Sequence, residues 1–495
     1  MGAQSRVVAV LSLSALALAA GPPSVGAAAP SIADAVDSLV AGSGLKPETV
    51  SVAVVDPSNG AVLGSHRGSE PMMPASCLKV ATTAAAMAVL GPDHELRTLL
   101  LAQPPSRGAP GVVPGDLWLV GRGDPGLSEH GPEGSTTAAL DAFAGLAAAR
   151  GVRAVSGDLV FDASWFDGPR VHPSWVDAGA SARWFAAEID ALTVNDACVD
   201  VTVEPGSGPG APGRVSIFPQ TALVDLENRT STTALRKEHG FGFRLAGESN
   251  SLEVNGKVWT KSNGATSPAA IRDPALLCAE QVGRALARAG IRVQGVVRRA
   301  REGEAPPRDA ALLASHATTV RHACAVANTR SQNLWAETLM RALGAERAGE
   351  GSFVRGAREV RVALAPAGLE VASTLFPVDG SGLSRDNRAS AVALAKVLAL
   401  MHRSPHRDAF FSGLARPGTG TLDDRFTGRG WERRVFAKTG TLRGVSGLAG
   451  LVLAADGTPR VFAVLGERVD VGRCRRLQDR VVEVLAGEPP RALRR

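Results

Sequence analysis

Ser76 and Lys79 are three residues apart in Ser76-Cys77-Leu78-Lys79, just ahead of the apolar run Val80–Leu90, which Gly91-Pro92 ends. That run reads as a helix. Positions i and i+3 share a helix face, with Cβ atoms about 5–6 Å apart, so the hydroxyl would lie beside the amine. A desolvated amine near a second cation loses its proton and can then accept one from the hydroxyl. A second S-x-x-K exists, Ser43-Gly44-Leu45-Lys46, but Gly44 and the following Pro47 argue against a helix there. Taken alone, Ser76 would serve equally as an ordinary helix-cap serine.

Two later segments carry matching chemistry. Ser331-Gln332-Asn333 is the only S-x-N in the chain and lies in the helical pattern Asn328–Leu343, with Leu334, Trp335, Leu339 and Leu343 on an apolar stripe. Its bland alternative is a helix start rich in capping residues. Lys438-Thr439-Gly440-Thr441 follows the strand-like Arg434–Ala437. A Lys beside two hydroxyls can hold a carboxylate, and Gly440 permits close approach to the backbone; its alternative is a turn with an exposed Lys. The composition sharpens the pattern. Of 54 basic residues seven are Lys and 47 are Arg, and Tyr is absent. Arginine does not deprotonate, so chemistry needing a neutral amine must keep a Lys. Two of the seven fall in these segments, with the unique S-x-N between them.

These residues need elements to hold them. Residues 51–67 read as two strands around the Ser58-Asn59-Gly60 turn. A Pro/Gly loop at 103–115 opens a stretch of short strand-like pieces, among them Asp116–Val120 and Gly157–Phe161, with no long helical periodicity up to Val258. Helical patterning returns at Pro274–Ala289, Asn328–Leu343 and Ala389–Met401. The chain finishes with strand-like Arg434–Ala437, Gly447–Ala454 and Val461–Gly466 and a basic helix Cys474–Leu485. No internal repeat is present.

The triplet S-x-x-K, S-x-N and K-T-G resembles that of serine penicillin-recognising enzymes. Separations of 255 residues from Ser76 to Ser331 and 107 from Ser331 to Lys438 resemble the low-molecular-weight class C penicillin-binding proteins, the D-alanyl-D-alanine carboxypeptidase/endopeptidases of peptidase family S13. Gly115–Leu119, Gly123-Asp124-Pro125, Ser331–Glu337 and Asp379–Arg385 are similar to that family too; Trp335, where relatives often carry Tyr, and Gln332 depart from it. The resemblance implies an α+β fold: a split transpeptidase/β-lactamase-like domain, an antiparallel sheet covered by helices, formed by residues 30–99 and 267–495. Residues 100–266 would be an inserted β-rich domain with a further domain nested inside it. The resemblance also implies roles. Ser76 is the nucleophile and neutral Lys79 its base. Ser331 passes a proton to the leaving amine, and Asn333 holds the substrate amide and Lys79. Lys438 lowers the Lys79 pKa and, with Thr439, Gly440 and Thr441, binds the terminal carboxylate. Backbone N–H groups of Ser76 and Thr441 form the oxyanion hole. The partners implied are peptidoglycan stem peptides and, as covalent inhibitors, β-lactam antibiotics. Should the stem peptide carry a zwitterionic diamino acid, Asp162 and Arg385 are candidate counter-charges; each would serve equally in a structural ion pair or cap.

Other classes fit less well. Gly121–Gly126 matches G-x-G-x-x-G, but Pro125 and the lack of a following helix argue against a dinucleotide site. The nine His form no metal-ligand cluster, and neither a metal nor a cofactor is expected. A net charge of +6 over 495 residues is no nucleic-acid footprint. A tyrosine-dependent β-lactamase is excluded by composition, and a silent cell-wall scaffold would not need all three segments intact. Five Cys cannot all pair; without a C-x-x-C they read as isolated buried thiols, although one or two disulfides are open. Arg6 followed by the 14-residue apolar run Val7–Ala20 and by Ala27-Ala28-Ala29 reads as a secretory signal over residues 1–29. No later apolar run reaches 18 residues. The expected location is the cell envelope, secreted or periplasmic, with no integral membrane segment after signal removal.

Overall fold

The computed structural model describes residues 31–104, 109–175, 182–246, 249–428 and 430–488. The expected signal segment lies outside them. Both ends of the described chain build one antiparallel five-stranded sheet, in the order Val435–Leu442, Val445–Leu453, Pro459–Glu467, Val50–Val55, Val62–His66. Val50–Val55 sits inside it with every residue buried, its four Val separated only by the small Ser51 and Ala53. The two-residue alternation of a strand divides its side chains between faces. Val50, Val52 and Val54 pack with Phe462 and Val464 against helices Ile32–Ala41 and Val471–Leu485. Ala53 and Val55 pack with Val461, Ala463 and Leu465 into the larger core on the other face.

Helix Lys79–Val89 lies in that larger core, touched by the helices Val320–Thr329, Asn333–Ala348, Phe353–Leu364 and Ala391–Arg403. From Lys79 to Met87 it is buried on all sides, which its run of Ala and Thr makes sterically feasible. Ile32–Ala41 starts at a capping box, with Ser31 and Asp34 satisfying each other's backbone N–H.

A second five-stranded sheet orders Val297–Arg299, Leu159–Asp162, Leu117–Arg122, Glu95–Ala102 and Ala311–Thr319, and two three-stranded sheets lie between residues 198 and 270. The expected divisions at 99/100 and 266/267 fall inside the strands Glu95–Ala102 and Ala265–Ala270. Three readings of secondary structure need correction. Residues 103–258 do hold a long helix, Thr136–Ala149, whose buried positions Ala139, Leu140, Phe143, Ala144 and Ala147 recur at helical spacing; Ala on the remaining faces masks that stripe in the sequence. The pattern Asn328–Leu343 is not one helix. Val320–Thr329 ends, Ser331 takes φ 60°, and Asn333–Ala348 begins anew. Residues two apart on a helix do not face the same way, so the break is what allows Ser331 and Asn333 to serve one site. The strand read as Arg434–Ala437 continues through the K-T-G segment to Leu442. All five Cys are free and buried.

Candidate active site

Ser76 lies on a single 3₁₀ turn, Ala75–Leu78, and Lys79 opens the helix that follows. Ala75 has φ 46°, a conformation L-residues rarely adopt, directly before the hydroxyl that would react. Two glycines let other segments press on this turn. A Cβ on Gly382 would meet Ala75 O at 1.9 Å, and one on Gly440 would lie 2.8 Å from Pro74 O and 2.9 Å from Cys77 N. Cys77 is no rival nucleophile: burial pushes its thiol up to about 12.

Lys79 is fully buried, and its Nζ has three oxygen neighbours. It donates to Asn333 Oδ1 at 2.6 Å and to Ser381 O at 2.8 Å, and lies 3.1 Å from Ser76 Oγ. Burial, then the positive charge of Lys438, hold its pKa well below that of an ordinary lysine. A neutral amine has two N–H groups and one lone pair. The two carbonyl oxygens use both N–H groups, which leaves the lone pair to face the Ser76 hydroxyl. Asn333 is held in its orientation from behind, donating from Nδ2 to Phe185 O at 2.6 Å.

Lys438 is also fully buried, and burial lowers its pKa to about 8. It donates to Ser331 Oγ at 2.9 Å and to Thr439 O at 2.8 Å. Ser76, Ser331, Thr439 and Thr441 line one cleft of about 390 Å³. Ala437 donates its N–H outward from the sheet to Ala415 O, because Val435–Leu442 is an edge strand. By the alternation of the strand, the N–H of Thr441 faces the same free edge.

Sequence patterns did not reveal the residues that support this arrangement. Glu337 accepts the N–H groups of Gly380 and Ser381 at 2.7 and 2.8 Å, fixing the carbonyl that Lys79 uses. Burial and the neighbouring Asp379 push Glu337 upward. Asp379 ties the same loop through Gly382 N, Ser384 N and Asn387 Nδ2, and accepts from Trp175 Nε1. Arg425 lines the cleft with its side chain only 12% exposed, anchored by Asp479 Oδ1 and Gln478 Oε1. Glu337 and Asp379 were visible inside the quoted segments, though not their roles; Arg425 gave no sequence signal.

The two remaining candidates part company. Arg385 is exposed and donates to Arg443 O at 3.0 Å, two residues beyond Thr441 on the K-T-G side. Asp162 accepts the Ser164 N–H and lines a different cavity, of about 230 Å³, with Arg170, Asp190 and Arg299. The structure does not bring Asp162 into the Ser76 cleft.

A buried amine whose pKa is held low, beside a half-buried serine, with a second buried lysine donating to a second serine, is an arrangement that could carry out acyl transfer. The profile of the D-Ala-D-Ala carboxypeptidase 3 (S13) family matches residues 32–487. The chain belongs to that family. The expectation drawn from the three segments is therefore correct for family and activity: a serine-type D-Ala-D-Ala carboxypeptidase. A D-alanyl-D-alanine carboxypeptidase from an Actinomadura species is 33% identical over 456 residues, covering 87% of this chain and 82% of the relative. The D-alanyl-D-alanine carboxypeptidase DacB of Haemophilus influenzae is 24% identical over 412 residues, 81% of each. The crystal structure of penicillin binding protein 4 (dacB) from H. influenzae superposes with a TM-score of 0.75 at 21% identity, covering 91% of this chain and 99% of that one. The S13 fold is thus shared over nearly all of the described chain. Among the described residues no helix is long and apolar enough to cross a membrane.

Proposed function

We propose that this S13 carboxypeptidase removes the terminal D-Ala of peptidoglycan stem peptides through an acyl-enzyme on Ser76. Ser76 Oγ attacks the penultimate D-Ala carbonyl while its proton passes to the Lys79 lone pair. The backbone N–H groups of Ser76 and Thr441 receive the oxyanion, an arrangement worth a few kcal/mol in related chemistry. Ser331, hydrogen-bonded by Lys438, hands the departing amine the proton that Lys79 took from Ser76, so that Lys79 is again a base when water attacks the ester and Ser76 Oγ recovers its proton. Asn333 has one amide N–H left for the substrate after serving Phe185. Because Lys438 is fully buried and turned to Ser331, carboxylate binding falls to Thr439, Thr441 and Arg425, with Lys438 acting through its charge. Water then releases the peptide. The observation that carries this reading is the use of both Lys79 N–H groups by Asn333 and Ser381, which commits the lone pair to Ser76.

Arg385, beside Arg443 beyond the K-T-G segment, is assigned to an anionic group of the stem peptide; Asp162 has no part in this cleft. The enzyme acts in the cell envelope after export. β-Lactams, which complex the H. influenzae protein, would acylate Ser76 in the same way. The inserted unit runs from about residue 95 to about 319, because Glu95–Ala102 pairs along its length with Ala311–Thr319. The test is labelling with a fluorescent penicillin. One adduct on Ser76, absent in Ser76→Ala, is expected. A folded protein that takes no label would refute the assignment, and rapid turnover of the antibiotic would favour a β-lactamase.

A further inference from the structure

Gln332 and Trp335, on either side of Asn333, end on the same carboxylate. Trp335 Nε1 donates to Asp196 Oδ1 at 2.8 Å, and Gln332 Nε2 donates to Asp196 Oδ2 at 3.2 Å. The same Oδ2 lies 2.5 Å from His130 Nδ1. Asp196 sits in the turn Asn195-Asp196-Ala197, whose three residues have φ of 50°, 53° and 59°. Such a run of left-handed non-glycine residues persists only where its surroundings over-determine it. It is pinned from several sides. Asn195 N donates to Leu127 O, Asn195 Oδ1 accepts from Thr136 Oγ1, and Asn195 Nδ2 donates to Cys198 O and Asp200 Oδ2. The His130 end is pinned as well, its carbonyl accepting from His322 Nε2, whose ring lies 5.8 Å from that of Trp335.

Ser331 is the one residue of its loop in the left-handed region, at φ 60°, and the helix after it begins at Asn333. Gln332, between the two, and Trp335, one turn into that helix, are the side chains that meet Asp196. We propose that Asp196 is a positioning residue for the reaction: by gripping Gln332 and Trp335 it holds Ser331 against Lys438 and Asn333 against Lys79. This rests on the roles given above to Ser331 and Asn333. It touches neither substrate nor reacting atoms, so its effect falls on the rate of acylation rather than on initial binding. His130 reinforces the grip. Burial alone would lower its pKa, but the hydrogen bond and charge of Asp196 outweigh burial and raise it.

The test is the rate constant for acylation of Ser76 by a fluorescent penicillin, resolved from the noncovalent dissociation constant, with melting temperature measured alongside. Asp196→Asn is the informative variant. Asn accepts the left-handed backbone but turns one of two acceptor oxygens into a donor, so it cannot receive Trp335, Gln332 and His130 together. Acylation is expected to slow on the order of tenfold, the worth of one charge-assisted hydrogen bond, with the dissociation constant and melting temperature little changed. Gln332→Met is expected to slow acylation in the wild type but to add nothing to Asp196→Asn. An Asp196→Asn enzyme acylating within about twofold of wild type overturns the proposal. So does a loss that tracks melting temperature alone, which marks a purely structural role. Wild type that takes no label refutes the acyl-enzyme reading instead, and the two failures are thereby distinct.

Discussion

Lys438 Nζ donates to Ser331 Oγ across 2.9 Å, joining the edge strand of the main sheet to the break between two helices. Its positive charge also lowers the Lys79 pKa from outside direct contact. The two lysines therefore form a graded pair: Lys79 is held well below the ordinary lysine range by burial and by the Lys438 charge, whereas Lys438, with a pKa of about 8, is mostly charged at neutral pH. Lys438→Met removes the repulsion, so Lys79 should bind its proton more tightly. The acid limb of the pH–acylation profile is expected to move to higher pH. A profile that falls in amplitude without moving would show that Lys438 does not tune Lys79.

Lys79→Arg keeps a basic side chain but loses the base, setting a permanent charge where a lone pair is needed. Guanidinium has no lone pair to give Ser76, so acylation should drop by about 10³-fold, within the usual range for general-base removal. Near-normal penicillin turnover in this variant would mean that another group takes the proton.

Arg425→Gln addresses the leaving group. Loss of a charged hydrogen bond to a carboxylate is expected to raise KM by roughly ten- to a hundredfold for peptides ending in free D-Ala–D-Ala. Peptides ending in D-alaninamide should be affected far less. Equal losses on both peptides would remove Arg425 from carboxylate recognition.

Glu337→Gln tests the support beneath the base. A carboxylate accepts both the Gly380 and Ser381 N–H groups, whereas the amide NH₂ of Gln must face one of them. The loop should shift and loosen the Ser381 carbonyl from Lys79. Slower acylation is expected, together with faster exchange of the Gly380 and Ser381 amide protons. Unchanged exchange would place the loop's rigidity in Asp379 instead.

His316 offers a stability test away from the cleft. Its Nδ1 lies 2.5 Å from Asp124 Oδ2 and its Nε2 3.1 Å from Glu133 Oε2. Burial opposes its charge, but the two carboxylates prevail and raise its pKa to about 9. A folded-state pKa above the unfolded value stabilises fully below the unfolded pKa, near 6.5, and that stabilisation fades as pH rises through 9. At about 1.4 kcal/mol per unit the contribution is roughly 3 kcal/mol. His316→Gln should therefore destabilise more at pH 6 than at pH 10 in urea titrations; a pH-independent loss would count against a charged His316.

The candidate reacting residues were readable from the chain because their chemistry restricts their type, and because Ser76-x-x-Lys79, unlike Ser43-x-x-Lys46 with its Gly44 and Pro47, heads a helical pattern. The strands around them were readable because β-branched runs such as Val50–Val55 announce a buried strand. What escaped was anything set by contact between distant segments. The break at Ser331 has no Pro or Gly to mark it, so a periodic pattern ran straight through it. Arg425 is one arginine among 47, distinguished only by where Asp479 and Gln478 hold it. Asp162 and Arg385 looked alike as lone charges beside motifs, and only folding separates the one near Arg443 from the one in another cavity.

Val50–Val55, among the first elements made, pairs with Pro459–Glu467, among the last, about four hundred residues later. Closing a loop of that length adds little to the equilibrium cost but delays the contact. The serine turn leaves the ribosome long before the strand bearing its lysine partner. Until the final hairpin adds its two neighbours, there is no wall for the substrate to lean on. Loss of the last hundred residues would remove Val435–Leu442, and Lys438 with it, while leaving the serine turn in place.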